Sequence, residues 1–270
     1  MKQIIYLIFP AVFLFSCNNS PNKAVVVKSA DDVPQIFFTT AERLPHDTTS
    51  FTEGFLFHNN QLFESTGSPS EMEDTRSLFG IVDLKTGKID KKAELDRNKY
   101  FGEGIVFIKD KIYQLTYKKQ TCFVYDANTY RNIGKYSYSN KEGWGLTTDG
   151  TYIIMSDGTN VLSYYDPADF HLVKTLQVTA NNFAVDNLNE LEYIKGFIYA
   201  NIWSTDKIVK IDPATGHVTG KMDLSILKDK ALERNPESLD TNGIAYDSAT
   251  NKIYVTGKMW PYIFQINLRP

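Results

Sequence analysis

The stretch Phe101-Gly102-Glu103-Gly104-Ile105-Val106-Phe107 places one carboxylate between two glycines at the start of an apolar run. Glycine leaves the backbone open on both sides of Glu103, so a ligand could approach it closely. Similar short motifs recur along the chain, and their central residues are Glu53, Trp144, Asn189 and Asn242. The five positions are separated by 50, 41, 45 and 53 residues, the period of a four-stranded propeller blade. The sequence therefore predicts five blades that bring these side chains to one mouth of a central channel.

A second motif keeps nearly the same period elsewhere in each unit. Asp83, Asp126, Asp166 and Asp212 each end a β-rich run, at separations of 43, 40 and 46 residues. Short apolar segments between turn residues indicate hairpins throughout, and no helical period is sustained. The one good helix candidate is Ser225 to Arg234. Two independent motifs repeat with nearly the same period, which is hard to explain by chance. The sequence therefore predicts an all-β five-bladed β-propeller.

A propeller must close its ring or leave an unpaired strand edge. The last unit ends after Tyr262 to Ile266 and lacks an outer strand. Gln35 to Phe38 is apolar and β-rich, so we expect it to supply the missing strand from the N-terminal side. The predicted domain therefore spans residues 35–270 and is closed by an N-terminal strand.

The N-terminus carries the features of a targeting segment. A basic start and an apolar run from Ile4 to Phe15 precede Leu14-Phe15-Ser16-Cys17, which resembles a bacterial lipobox. This pattern predicts a signal peptide over residues 1–16, lipidation of Cys17 and a polar tether over 17–34. The protein would then be lipid-anchored in the bacterial cell envelope, in the periplasm or at the outer-membrane surface. The alternative is an ordinary signal peptide that is cleaved without lipidation.

Composition excludes several function classes. The net charge of -3 and the pI near 5.9 provide no basic surface, which argues against a nucleic-acid partner. The four histidines lack metal-ligand spacing, and beyond Cys17 only Cys122 remains, so neither a zinc site nor an internal disulfide is expected. No Gly-x-Ser-x-Gly elbow occurs. The remaining candidate chemistry is that of carboxylate and aromatic side chains at the channel axis.

Several motifs in order resemble the plant-type and bacterial glutaminyl cyclases, also called glutamine cyclotransferases. The resemblance runs from about His46 to Phe264. The motifs are Phe51-Thr52-Glu53-Gly54, Phe101-Gly102-Glu103-Gly104, Glu142-Gly143-Trp144-Gly145-Leu146, Leu188-Asn189-Glu190-Leu191, Asn201-Ile202-Trp203, Asn242-Gly243-Ile244-Ala245 and Val255-Thr256-Gly257-Lys258-Met259-Trp260-Pro261. The resemblance implies a five-bladed propeller that converts N-terminal glutamine of peptides to pyroglutamate with release of ammonia. It implies no catalytic zinc and no required cofactor, and it leaves room for a structural divalent ion in the channel.

The resemblance also implies residue roles. It places the catalytic glutamate at Glu103, an amide-binding residue at Asn189 and a basic group at the cavity rim at Lys258. Two positions differ from the family pattern. The family usually has glutamine where this chain has Glu53, and it often has tryptophan where this chain has Tyr117. A second carboxylate near Glu103 raises the pKa of one of the two. The implied substrate-binding residues are Phe51, Glu53, Phe101, Tyr117, Trp144, Asn189, Trp203 and Lys258.

Two alternatives from other classes stay open at this point. The chain could be an envelope propeller lipoprotein that binds a peptide or glycan without turning it over, because a fold does not fix a function. It could also be a metal-dependent propeller hydrolase, in which Glu53, Glu103, Asn189 and Asn242 would ligate a divalent ion. The aromatic Trp144 at one of the five equivalent positions makes the second alternative the weaker one.

Overall fold

The computed structural model describes Ser29 and residues 32–269, so the predicted signal peptide, Cys17 and most of the predicted tether lie outside the described residues. Within this part, the chain forms twenty-two strands and one helix, α1 (Ser225–Arg234), at the bounds predicted from sequence. In chain order the strands are β1 (Phe38–Pro45), β2 (Phe51–His58), β3 (Gln61–Gly67), β4 (Leu78–Val82), β5 (Ile89–Glu94), β6 (Gly102–Ile108), β7 (Lys111–Thr116), β8 (Thr121–Asp126), β9 (Asn132–Ser137), β10 (Leu146–Thr148), β11 (Ile153–Met155), β12 (Val161–Tyr165), β13 (Leu172–Gln177), β14 (Thr179–Ala180), β15 (Phe183–Ala184), β16 (Leu188–Ile194), β17 (Phe197–Ile202), β18 (Lys207–Ile211), β19 (Val218–Asp223), β20 (Thr241–Asp247), β21 (Lys252–Gly257) and β22 (Tyr262–Leu268).

Five four-stranded antiparallel sheets form the blades of a propeller. Blade 1 is β2 to β5, blade 2 is β6 to β9, blade 3 is β10 to β13, and blade 4 is β16 to β19. Blade 5 is β20 to β22 with β1 as its outer strand, and the short β14–β15 hairpin connects blades 3 and 4. The inner strands contact one another in ring order, and β20 contacts β2 to close the ring. The five-bladed fold predicted from the two repeats is confirmed.

Apolar side chains pack between neighbouring blades in five clusters, one at each interface. Strand β11 shows why the sequence produces this arrangement. Side chains alternate along a strand, so Ile153 and Met155 pack toward blade 2 while Ile154 packs toward blade 4. Each such side chain, fully buried, contributes roughly 1.5–3 kcal/mol. Every central strand therefore stabilises two interfaces at once.

The recurring glycines let the inner strands approach each other closely. A Cβ added to Gly104 would lie 2.5 Å from the Leu146 nitrogen and 2.6 Å from the Trp144 carbonyl oxygen. A Cβ on Gly145 would collide with the Asn189 carbonyl, one blade further on. The sequence interpretation took the glycines around Glu103 as space for a ligand, but the space beside Gly104 is filled by the backbone of the next blade. The glycines keep the ring narrow.

The ring is closed by an N-terminal strand, as predicted, but by a different segment. Strand β1 pairs antiparallel with β22, from Phe38 opposite Leu268 to Pro45 opposite Tyr262. Gln35 instead forms a parallel bridge with Lys221 of β19. The choice of residues 35–38 relied on their apolar character, whereas the residues of β1 are mostly exposed. An outer strand has little surface to bury, so it needs no apolar run.

The aspartates of the second repeat all follow or end the third strands of blades 1 to 4. The Asp83 carboxylate accepts the Lys85 backbone N–H at 2.9 Å and the Thr86 hydroxyl at 3.0 Å. Asp212 forms the same pair of contacts with the two residues at the equivalent positions. Such side-chain contacts to the following backbone stabilise a tight turn. The repeat therefore has a structural role at the turn to each outer strand.

Helix α1 packs its Leu227 and Ala231 into the cluster between blades 4 and 5. It lies between β19 and β20 in the chain, and so between blades 4 and 5. No helix within the described residues is both long and apolar enough to cross a bilayer.

Candidate active site

Four inner strands carry a β-bulge near their first residues, and each bulge holds a polar side chain of the predicted site. The strand register shifts between Thr52 and Gly54, between Gly102 and Ile105, between Leu188 and Leu191, and between Thr241 and Ile244. These bulges contain, in order, Glu53, Glu103, Asn189 and Asn242. A bulge bends the strand and re-aims the extra residue, so four equivalent bulges direct four side chains to one end of the ring.

Blade 3 presents Trp144 at the same level without a bulge, because Trp144 lies in the loop just before β10. Its backbone N–H donates to the Ser156 carbonyl at 3.0 Å, and its carbonyl accepts the Gly104 N–H at 2.8 Å. These bonds fix the loop between blades 2 and 3. The five positions aligned by the sequence repeat thus come together at one end of the channel.

A cavity of about 700 Å³ opens at this end. All nine predicted site residues line it: Phe51, Glu53, Phe101, Glu103, Tyr117, Trp144, Asn189, Trp203 and Lys258. Asn242 is fully buried and lies behind Glu53, outside the lining. Six lining residues had no predicted role: Lys141, Glu142, Asp157, Gly158, Thr159 and Asn187. Glu142 occurs in one of the motifs quoted above and Asp157-Gly158 is an Asp-Gly turn pair, whereas Lys141, Thr159 and Asn187 carry no signal in the sequence.

Aromatic rings form the walls of the cavity. Phe51 and Phe101 meet edge to face with ring centroids 5.8 Å apart, and Tyr117 lies 5.9 Å beyond Phe101. Trp144 and Trp203 form a second edge-to-face pair at 5.6 Å. Trp203 is 42% exposed at the mouth, so its ring remains available to a ligand. Edge-to-face pairs hold their rings in fixed orientations, which gives the cavity a defined shape.

Trp144 has its orientation fixed by two neighbours. Its indole N–H donates to Glu142 Oε2 at 3.0 Å. Gly158, with φ +80°, lies under the ring, and a Cβ there would approach the Trp144 ring to 2.7 Å. Glycine at this turn is therefore required both by its backbone conformation and by the ring packed against it.

Glu103 has a buried carboxyl group that makes no hydrogen bond in the part of the chain that the structure describes. The residue is 4% exposed, and it lines the cavity. Its backbone carbonyl accepts the Ser65 hydroxyl at 2.6 Å, but its carboxyl group makes no hydrogen bond within the described residues. Burial raises the pKa of Glu103 well above its ordinary value, the charge of Glu53 adds to this, and Lys258 opposes it. These surroundings therefore favour the protonated form of Glu103.

Glu53 is equally buried but fully partnered. The Lys258 ammonium lies 2.8 Å from Glu53 Oε1, and the Asn242 amide donates to Oε2 at 3.0 Å. Burial raises the pKa of Glu53 to about 7, while Lys258 and its hydrogen bond lower it. The two carboxyl groups thus differ in environment, and Glu53 ionises before Glu103. A pair separated in this way provides one charged and one proton-carrying group.

Lys258 is not at the rim, where the resemblance had placed a basic group. It is 6% exposed, and its ammonium lies 4.6 Å from the centre of the Phe51 ring. Its backbone is fixed by hydrogen bonds to Leu239 and Asp240. The rim prediction was wrong because nothing in the sequence linked Lys258 to Glu53, whose carboxylate holds the ammonium inside the protein.

Asn189 presents an unused acceptor to the site. Its side chain is buried, and its Oδ1 has no hydrogen-bond partner within the described residues. Its backbone is held by the Ser156 hydroxyl, which donates to the Asn189 carbonyl at 2.7 Å. An unpaired buried polar atom costs about 1–3 kcal/mol, so a ligand that supplies an N–H donor here gains that amount.

The rim carries charges of both signs. Glu142 lies 3.5 Å from Lys118, whose ammonium in turn lies 4.4 Å from the centre of the Tyr117 ring. Asp157 accepts the Asn140 amide at 2.8 Å. Residues 32–269 contain no group of three or more histidine, cysteine or acidic residues placed to hold a metal ion. The ligand set considered for a metal-dependent hydrolase does not fit, because Glu53 is bound to an ammonium and the amide N–H of Asn242.

Comparisons with known proteins agree with this geometry. The glutamine cyclotransferase family model matches residues 11–268. The chain is 38% identical over 227 residues to the glutaminyl-peptide cyclotransferase of Arabidopsis thaliana, a match that covers 83% of this chain and 69% of that protein. The crystal structure of Myxococcus xanthus glutaminyl cyclase superimposes with a TM-score of 0.77 at 31% identity, covering 88% of this chain and 98% of that one.

Proposed function

Because the chain belongs to the glutamine cyclotransferase family, we propose that it is a glutaminyl-peptide cyclotransferase, which converts the N-terminal glutamine of peptides to pyroglutamate and releases ammonia. One observation carries most of the support. Glu103 is a buried carboxyl group that borders a cavity walled by aromatic rings, makes no side-chain hydrogen bond within the described residues, and has a pKa that burial raises well above its ordinary value. This is the environment of a group that exchanges protons with a bound molecule.

Substrate binding would use the aromatic walls and Asn189. The N-terminal glutamine side chain enters between the Phe51–Phe101 pair and the Trp144–Trp203 pair. Its amide N–H then supplies the donor that Asn189 Oδ1 lacks. An apolar side chain of similar size leaves that oxygen unpaired, which selects against it.

Cyclisation joins the α-amine nitrogen to the γ-amide carbon of the same residue and breaks the bond from that carbon to the amide nitrogen. The nucleophile is already tethered, so the walls need only hold the bent conformer that brings the two atoms together. The amide nitrogen must gain one proton as ammonia leaves, and the attacking amine must lose one. Protonated Glu103 donates the first and accepts the second, and it ends the cycle protonated. These steps require no metal or cofactor, and we propose that the reaction is independent of zinc.

The location of the protein in the cell is a separate proposal. The lipobox-like Leu14-Phe15-Ser16-Cys17 supports a lipid anchor on Cys17 and a location in the bacterial cell envelope. Peptides with N-terminal glutamine would reach the propeller there.

The full chain, purified in mild detergent, should release ammonia from several glutamine-initiated dipeptides, and chelator should leave this activity unchanged. Glu103→Gln keeps the shape of the side chain but cannot exchange the proton, so we expect the rate to fall by roughly 10²- to 10⁴-fold. Glu192→Gln is the matched control, because Glu192 is also an inner-strand carboxyl with a raised pKa of about 8, near the opposite end of its strand. It should retain activity.

Each alternative predicts a different result in the same assay. Wild-type protein that binds these peptides but releases no ammonia above background would indicate the non-catalytic binding protein. Loss of activity with chelator, restored by a divalent ion, would indicate the metal-dependent enzyme. Equal activity of Glu103→Gln and wild type would remove Glu103 from the chemistry.

A further inference from the structure

The Glu53–Lys258 ion pair lies in the cavity wall, yet neither charge has a direct part in the proposed chemistry. Both side chains are almost fully buried, and their charged atoms are 2.8 Å apart. A buried ion pair contributes little net stability compared with well-packed apolar residues, because both charges lose their hydration. Stability alone therefore gives no reason to place it beside Glu103.

The geometry around the pair confines the ammonium of Lys258. Glu53 Oε1 binds it on one side, and the Phe51 ring lies 4.6 Å away on another. Glu53 is itself fixed by Asn242, whose Nδ2 also donates to the Thr52 carbonyl at 2.8 Å. The partners of the pair come from blades 1 and 5, whereas Glu103 belongs to blade 2.

We propose that Glu53 is a positioning residue that acts through Lys258: its carboxylate binds the ammonium, cancels that positive charge within the cavity and so leaves the Glu103 carboxyl group protonated for its first proton donation. This inference rests on the proposed role of Glu103 as the proton shuttle. It assigns Glu53 to the electrostatics of the site rather than to direct contact with substrate.

The charges near Glu103 support this assignment. Glu53 on β2, Lys258 after β21 and Glu142 before β10 are the charged groups that act on the Glu103 carboxyl. Burial raises the pKa of Glu103 most, Glu53 and Glu142 raise it further, and only Lys258 lowers it. The phenol of Tyr138 is also close enough to interact with Glu103. Glu142 has Lys118 as its partner at 3.5 Å, whereas the partner of Lys258 is Glu53.

The surroundings of Glu53 act on its charge in both directions. Burial raises its pKa to about 7 and Asp240 adds to this, while the Lys258 ammonium and the Asn242 amide favour the charged form. Removing the charge of Glu53 changes two influences on Glu103 together. It deletes a neighbouring negative charge, and it frees the positive charge of Lys258. Both changes favour loss of the proton from Glu103.

The test compares Glu53→Gln, Lys258→Met and the double variant in the full chain labelled with ¹³C at glutamate carboxyl groups. The Glu103 signal is identified by its loss in Glu103→Gln, and its titration midpoint is measured by NMR, which needs no turnover. We expect Glu53→Gln to lower the midpoint by about one pH unit or more. Lys258→Met should move it upward, and the double variant should return it to within roughly half a unit of wild type. The pH dependence of kcat/KM should follow the same order.

A merely structural role would not give shifts of opposite sign. An unchanged midpoint in Glu53→Gln, or shifts in one direction for all three variants, would overturn the inference. If Glu53→Gln does not fold, as judged by near-UV circular dichroism, the upward shift in Lys258→Met and its reversal in the double variant still decide the question. Failure of the proposed function is recognised separately, by absence of ammonia release from the wild type.

Discussion

A buried ion pair joins the first and last blades of the ring, and we expect its removal to lower the free energy of unfolding. His46, just after β1, places Nε2 3.0 and 3.1 Å from the two carboxylate oxygens of Glu64 on β3, and both side chains are fully buried. His46 Nδ1 donates to the Trp260 carbonyl at 2.9 Å, and the Thr52 hydroxyl donates to Glu64 at 2.7 Å. One side chain thus connects the closing strand, blade 1 and the loop before β22.

The substitution His46→Leu removes the hydrogen bonds of both ring nitrogens. Within the described residues it leaves the buried Glu64 carboxylate with the Thr52 hydroxyl alone. Breaking a buried pair in this way costs about 3–5 kcal/mol in the free energy of unfolding. For a domain of this size each kcal/mol lowers Tm by about 2–4 °C, so the expected loss is roughly 6–20 °C. His171→Leu is the matched control. The His171–Asp169 pair is exposed, and its removal should change Tm little.

The destabilisation caused by His46→Leu should also depend on pH. Burial alone would lower the pKa of His46, but the Glu64 carboxylate and its hydrogen bond raise it above the ordinary value of 6.5. A histidine whose pKa is raised on folding contributes stability that is fully present below its unfolded pKa and is lost as pH rises through the folded pKa. Urea unfolding should therefore show the gap between wild type and His46→Leu narrowing as pH rises above about 6.5. A gap that widens over that range, or equal stability of the two histidine variants, would refute the reasoning.

Two further predictions concern the cavity and the N-terminus. Trp144→Ala removes a wall that encloses the substrate but exchanges no proton, so KM should rise roughly tenfold to 100-fold with a smaller change in kcat; a loss confined to kcat would contradict this role. Cys17→Ala removes the predicted lipidation site, so the protein should leave the membrane fraction or remain unprocessed; equal partitioning of variant and wild type in cell fractionation would exclude the anchor.

The blade count could be predicted from sequence because two separate motifs show the same period. One is the inner-strand motif around Glu103, and the other is the aspartate turn represented by Asp83. Both repeats reflect local backbone requirements, namely close approach of strands and a tight turn, and local requirements leave a local pattern. Helix α1 was predictable for the same reason. The closing strand β1 was misplaced because an exposed outer strand carries no apolar signal.

The site was only partly predictable, for a different physical reason. Repeats and motifs identified which residues converge, including Glu103 and Asn189, but gave no information on which side chains pair. The Glu53–Lys258 contact joins residues 205 positions apart, and nothing in the sequence around Lys258 distinguishes a buried ammonium from a rim lysine. The bulges were also unforeseen, because one extra residue in a strand does not disturb a period that varies by several residues.

The protonation states of the two carboxyl groups follow from their positions in the ring. Glu53 and Glu103 occupy equivalent bulges on neighbouring inner strands, so their backbones give them similar burial. Their partners come from the adjacent blades. Blade 5 offers Glu53 an ammonium and an amide N–H. On the blade 3 side of Glu103, the Trp144 carbonyl accepts the neighbouring Gly104 N–H, and blade 1 adds the negative charge of Glu53. One repeated backbone feature therefore gives Glu53 an ammonium partner that favours its charged form, and it leaves Glu103 in surroundings that raise its pKa well above the ordinary value.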